Sequence, residues 1–147
     1  MPSQEKLNML KTNAVISVVD DDVSVRNSLR RLLRSMGFEV RTFPSALEFL
    51  HQGPIHDDGC VIVDVRMPEM DGLDLQKRLA NAGVSLPVIF ITAYEDQDVR
   101  AQAMEGGALA FLQKPFSDTS LMDAIGLALE HRDQQISGSK ENVNVGK

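Results

Sequence analysis

Apolar and polar positions alternate along this chain in two rhythms. Short β-branched or aromatic runs stand at 14–19, 38–43, 60–63, 87–91 and 109–112. The third and fourth of them, Cys-Val-Ile-Val and Val-Ile-Phe-Ile, carry no polar alternation, which predicts strands covered on both faces. Between the runs the spacing turns helical. Val25, Leu29, Leu32, Leu33 and Met36 fall at i, i+4, i+7, i+8 and i+11, with Gly37 where a helix C-cap belongs. Ser45-Ala-Leu-Glu48 is a capping box before a short helix that stops by Gly53. Leu75, Leu79 and Ala82 mark another helix, closed by Gly83, and Val99, Ala103 and Met104 another, closed by Gly106-Gly107. Leu121, Ala124, Ile125, Ala128 and Leu129 repeat the pattern near the end.

Five β-α units in succession predict an α/β fold, a doubly wound parallel sheet with helices on both faces. Five such strands commonly take the flavodoxin-like order 2-1-3-4-5, with ligands beyond the strand carboxyl ends at the switch between the first and third strands. The pattern alone leaves other three-layer orders open. Residues 1–13 are polar with scattered Leu and Met and read as a leader outside the fold. Residues 14–132 form one domain, and 133–147, polar with Gly and Ser but aperiodic, read as a tail or truncated linker.

If function lies at the strand carboxyl ends, the residues there are the candidates. Asp20-Asp21-Asp22 follow the first strand, Asp64 the third, Thr92 the fourth, and Gln113-Lys114-Pro115 the fifth; the second, an edge strand in this order, contributes none. Each alone is weak, since an Asp cluster after a strand is usually a turn and helix cap. Their joint placement is what carries the argument. Two carboxylates ~4 Å apart repel by ~4 kcal/mol at an effective dielectric near 20, so Asp20, Asp21 and Asp64 could not all ionise in one crevice without a cation. Lys114 brings one positive charge, too little for three acids. Mg²⁺, a hard ion that takes one or two carboxylates, several waters and a phosphate oxygen, is the natural complement. Thr92 and Lys114 could then hold phosphoryl oxygens, and Asp64, between the other acids and this pair, is the best placed nucleophile for phosphoryl transfer.

The set Val-Val-Asp20-Asp21-Asp22, Asp64-Val-Arg-Met-Pro-Glu-Met-Asp-Gly72, Ile-Thr92-Ala and Lys114-Pro115-Phe116 resembles the receiver domain of bacterial two-component response regulators, and within it the FixJ-like group. The resemblance covers about residues 15–129. It implies that Asp64 accepts a phosphoryl group from a sensor histidine kinase or phosphotransfer protein, and that Asp21, Asp64 and the main-chain carbonyl of Arg66 ligate Mg²⁺, Asp20 acting largely through water. It further implies that Thr92 and Lys114 hold the phosphoryl group and that the Lys114–Pro115 bond is cis. Phe111 matches the family's aromatic switch position, although by itself it reads as a core residue of the fifth strand. Phosphorylation would repack the helix 4–strand 5–helix 5 face, roughly residues 98–129, to control an output domain or partner, and allows a homodimer. Arg66 and Tyr94 occupy variable positions that tune water access to the acyl phosphate. Such a domain catalyses only its own phosphorylation and dephosphorylation.

Composition narrows the rest. The 147 residues are 43% hydrophobic and 24% charged, and 15 Lys+Arg against 21 Asp+Glu leave −6. That balance argues against nucleic acid or an anionic membrane as a direct partner. The longest apolar run is five residues, 108–112, far short of the ~20 that span a bilayer. One cysteine, Cys60, cannot form an internal disulfide, which points to a reducing compartment, the cytoplasm. A metal-dependent phosphatase of the haloacid dehalogenase class is the enzymatic alternative, through Asp20-x-Asp22-x-Ser24, but it lacks the acidic pair that should follow a strand beyond Lys114 and leaves Asp64 idle. A flavodoxin is excluded because its phosphate loop would here be three aspartates; a pseudo-receiver that only docks a partner is a third alternative. His51, His56 and His131 fit no zinc spacing. Met67, Met70 and Met104 read as packing. A stand-alone receiver and a piece of a longer regulator both stay open.

Overall fold

The computed structural model describes residues 14–53 and 58–145; the proposed leader, His56 and the last two residues lie outside them. Five strands, β1 (Val15–Val19), β2 (Glu39–Phe43), β3 (Asp58–Asp64), β4 (Val88–Thr92) and β5 (Ala110–Gln113), alternate with α1 (Val23–Ser35), α2 (Ala46–Gln52), α3 (Gly72–Asn81), α4 (Gln97–Glu105) and α5 (Asp118–Val145). All ladders are parallel and the order is β2-β1-β3-β4-β5. This is the doubly wound flavodoxin-like sheet that the β-α succession predicts.

Strand alternation builds two cores. Cys60 and Ile62 of β3 face one layer, with Ile16, Val18, Ile89 and Ile91, under Leu29 and Leu33 of α1 and Leu121, Ile125 and Leu129 of α5. Val61 and Val63 face the other, with Val19, Phe43 and Phe90, under Phe49 of α2, Leu75 and Leu79 of α3 and Ala103 of α4. The uniformly apolar strands are thus the ones covered on both faces, while β2, at the edge, is buried only at Phe43. Local signals end the helices as expected. Gly37 takes φ 94° just past α1, a left-handed turn that costs a glycine nothing. Ser45 Oγ accepts the Glu48 N–H at 3.1 Å, starting α2.

Three details depart from the sequence pattern. Site residues Asp64 and Thr92, placed just after their strands by apolarity, are the final residues of β3 and β4, because the main-chain ladder continues past the last apolar side chain. Met104 is 45% exposed although its spacing put it on the inner face of α4; the nine-residue helix turns Ala103 inward instead. The main chain of 133–145 is helical rather than an aperiodic tail, extending α5 to Val145. A helix nucleated by its packed first half adds one hydrogen bond per residue without needing an apolar face.

Ser17, in the middle of β1, is fully buried, and its hydroxyl has no hydrogen-bond partner among the described residues. An unpaired buried hydroxyl costs ~1–3 kcal/mol. Ser17→Ala should therefore raise the unfolding free energy by about 1 kcal/mol, read as a higher urea midpoint at unchanged m-value; a lower midpoint would show that the hydroxyl is paired in solution.

Candidate functional site

The carboxyl edge of the sheet gathers the candidate residues at the ends of β1, β3, β4 and β5. Asp20 directly follows β1 and is fully buried; Asp64 ends β3 and is 7% exposed; Asp21 is open to solvent. One carboxylate oxygen of each lies within 4.8 Å of the others. Lys114, just past β5, reaches across the edge, its Nζ 3.0 Å from Asp20 Oδ2 and 2.9 Å from Asp64 Oδ2. The Lys114–Pro115 bond is cis. One ammonium thus faces three carboxylates, so this all-oxygen donor set retains an excess of negative charge that suits a hard divalent ion.

The loops hold these acids by main-chain hydrogen bonds. Asp20 Oδ1 accepts from Asp22 N–H and Asp64 Oδ1 from Arg66 N–H, each at 2.9 Å. Arg66 itself is exposed. The third acid of the run, Asp22, is the N-cap of α1, accepting from Ser24 N–H at 2.8 Å. That employment as a cap is what the phosphatase alternative, which needs Asp22 for chemistry, does not explain. Thr92 is buried at the end of β4, and its hydroxyl engages the main chain of Tyr94, donating to the carbonyl at 3.0 Å and accepting from the N–H at 3.2 Å. Of the predicted residues, then, the structure joins Asp20, Asp21, Asp64 and Lys114 directly, with Arg66 bound through its backbone and Thr92 on the neighbouring strand. Tyr94 is 69% exposed; with Arg66 it stands on the rim.

Further residues shape the surroundings of the site, and of these only Arg26 carries no sequence signal. Gly72 opens α3 against the end of β3: its N–H donates to Val65 O at 2.9 Å, and a Cβ there would stand 2.5 Å from Asp64 O. Only a glycine admits that approach. Asp71 and Asp74 form a reciprocal capping box on α3, legible in the motif's Asp71-Gly-Leu-Asp74 once the helix start is known. Arg26 Nη1 donates to Asp20 O at 2.7 Å. Phe111, 5% exposed, packs beside Phe90 and beneath the Arg100 guanidinium, 5.5 Å from its ring centroid.

Burial pushes the Asp20 carboxyl above its ordinary value and the charge of Asp64 adds to this, against the lowering by Asp22 N–H and Lys114. For Lys114 burial opposes the charge, but the hydrogen bonds to Asp64 and Asp20 and their negative charge outweigh it, and its pKa is raised.

The sequence model of the response regulator receiver domain matches residues 16–126. Nodulation protein W of Bradyrhizobium diazoefficiens is 45% identical over 132 residues, covering 90% of this chain and 58% of that protein. Among solved structures, the response regulator StyR superposes with a TM-score of 0.78 at 43% identity, over 89% of this chain and 67% of that one. FixJ-N does so with 0.75 at 37%, over 80% and 94%. The chain spans 51–63% of the length of the curated relatives it matches.

A carboxyl group whose folded pKa lies above the unfolded one binds its proton more tightly in the folded state, so its contribution to stability falls as pH rises above the unfolded value. The raised Lys114 value acts only at alkaline pH, where its contribution is lost as pH rises through the folded pKa. In metal-free buffer, Asp20→Asn should therefore gain stability relative to the parent as pH rises above about 4, as measured by urea unfolding at each pH; a difference constant with pH would contradict the raised carboxyl.

Proposed function

Because this chain belongs to the response regulator receiver domain family of two-component systems, we propose that Asp64 is its phosphoacceptor and that Asp20, Asp21 and Asp64, with the main-chain carbonyl of Arg66, form a Mg²⁺ site. The observation that carries this reading is the approach of three carboxylates at the ends of β1 and β3 with a single ammonium between two of them. Asp21 and Asp64 would be the direct ligands, and Asp20 would act largely through water. When bound, Mg²⁺ supplies the positive charge that lets an anionic phosphoryl donor approach three acids.

The chain's own residues do the rest. Arg66 N–H fixes one oxygen of Asp64, leaving the other, now paired with Lys114, to attack phosphorus in line. The attacking oxygen forms the new bond as the donor's bond to phosphorus breaks, and the donor leaves with that electron pair. A phosphohistidine of a sensor histidine kinase or phosphotransfer protein is the donor we infer. Lys114 exchanges its contact with the Asp64 carboxylate for one with the phosphoryl oxygens, and Thr92 gives up its bond to Tyr94 O to donate to them. Water attack on the acyl phosphate returns Asp64, so the domain turns over only its own phosphoryl group and works in the cytoplasm as a signalling element rather than an enzyme acting on free substrates.

The new charge of about −1.5 to −2 sits at the end of β3, beside β4 and β5. Thr92 leaving the Tyr94 turn would loosen the entry to α4. The Phe111 ring is already buried, held under Arg100 of α4, so rearrangement starts from an inward ring and travels through the α4–β5 contact. We read the α4–β5–α5 face as the surface so controlled, toward an output domain, a partner or a second copy.

Incubation with acetyl phosphate and Mg²⁺ should add about 80 Da, one phosphoryl unit, at Asp64, with none in Asp64→Asn or in EDTA. Absence of the adduct from the parent chain, or multiple turnovers of p-nitrophenyl phosphate, would refute the assignment. Beryllofluoride with Mg²⁺ should shift NMR resonances across residues 98–129; changes confined to the carboxyl edge would refute the switch while leaving the phosphoacceptor standing.

A further inference from the structure

Arg26 lies in the first turns of α1, half-buried, with its guanidinium turned back toward the sheet edge. Its Nη1 donates to the main-chain oxygen of Asp20 at 2.7 Å, the short end of a charge-assisted hydrogen bond. The remaining polar atoms of Asp20 are spoken for by other parts of the fold. Its N–H donates to Phe43 O at the end of β2, at 3.1 Å. Its Oδ1 accepts from Asp22 N–H, and its Oδ2 from Lys114. Asp20 is thus pinned at four atoms, and the pin on its carbonyl has a consequence for its neighbour.

The Asp20 carbonyl and the Asp21 nitrogen belong to one planar peptide unit. Holding the oxygen from α1 fixes the rotation of that plane, and the plane sets the direction in which Asp21 leaves the chain. Asp21 needs such help. It is exposed, on a loop two residues before α1, yet its carboxylate stands with the buried acids Asp20 and Asp64. Mutual repulsion would swing an unsecured surface aspartate away from two other carboxylates.

We propose that Arg26 is a positioning residue: by holding the Asp20–Asp21 peptide it keeps the Asp21 carboxylate at the acid cluster, where it completes the cation site. The inference rests on the Mg²⁺ reading made above. It differs from a simple charge effect in sign. A guanidinium near three acids repels an incoming Mg²⁺, so if charge were its whole contribution, removing it would tighten Mg²⁺ binding. If Arg26 positions Asp21, removing it weakens binding, as loss of the outer partners that orient metal ligands does elsewhere, by ~10–100-fold.

The test is calorimetric titration of the full chain with MgCl₂, for the parent, Arg26→Met and Arg26→Lys, beside ¹⁵N spectra of the metal-free proteins. Arg26→Met should weaken Mg²⁺ binding by about tenfold and move the Asp21 ¹⁵N resonance before any metal is added, with β4 resonances in place. Arg26→Lys, which keeps a donor at the end of a flexible stem, should fall between it and the parent on both readouts. Should Arg26→Met fail to fold, Arg26→Gln, whose shorter side chain falls short of the carbonyl, carries the same expectation. Unchanged or tighter Mg²⁺ binding in a folded variant, or an unmoved Asp21 resonance, overturns the proposal while leaving the parent's Mg²⁺ site standing. A parent chain that binds no Mg²⁺ overturns the site itself, and this role with it.

Discussion

Lys114 Nζ sits between Asp20 Oδ2 and Asp64 Oδ2, at 3.0 and 2.9 Å, and so ties the ends of β1, β3 and β5 to one another across the carboxyl edge of the sheet. Both carboxylates are buried, one of them completely, and buried carboxylates without a partner would neutralise or pull apart. The ammonium allows two acids to be held there but not to be satisfied, because Asp21 joins them within 4.8 Å. The edge is therefore arranged for more positive charge than the chain itself supplies. Folding tolerates this because Asp64 ends, and Asp20 directly follows, strands that are packed on both faces.

The aspartates of this edge divide by where their partners come from. Asp22, Asp71 and Asp96 each accept from a main-chain N–H two or three residues on and start α1, α3 and α4. These bonds are local and serve the helix. Asp20 and Asp64 instead meet Lys114, 94 and 50 residues away, and their local bonds leave one oxygen each for that distant partner. The same residue type thus caps helices at one set of positions and builds an electrostatic site at another. Gly72 makes the two sets compatible, since α3 can begin against the Asp64 carbonyl only where no Cβ intervenes.

Beside α3, α4 is fastened at two points. Near its end the buried Gln76 amide of α3 donates to Ala103 O at 2.9 Å and fills the space beside Gly106. Nearer its start Arg100 covers Phe111 of β5 and pairs with Glu95 at 3.4 Å, an exposed contact of small energetic weight. The buried amide is the firmer fastening, because breaking it would strand polar atoms away from water. The helix is thereby held near its end by a buried hydrogen bond and nearer its start by the Arg100 contacts.

Sequence alone determined the succession of five β-α units, the two apolar layers and the set of acids, hydroxyl and lysine at the strand ends. Those features arise from periodicity and from motifs a few residues long, and both survive in a linear reading. The 2-1-3-4-5 order was legible as the commonest arrangement and as what the family resemblance implies, and the ladders place β1 between β2 and β3. Tertiary structure decided what each polar group does. It buried Asp20 and Asp64 side by side against Lys114, exposed Met104, and brought Arg26 to the Asp20 carbonyl. An arginine on a helix looks the same in sequence whether it faces water or a peptide oxygen. Only the approach of elements distant along the chain gives such a side chain a partner.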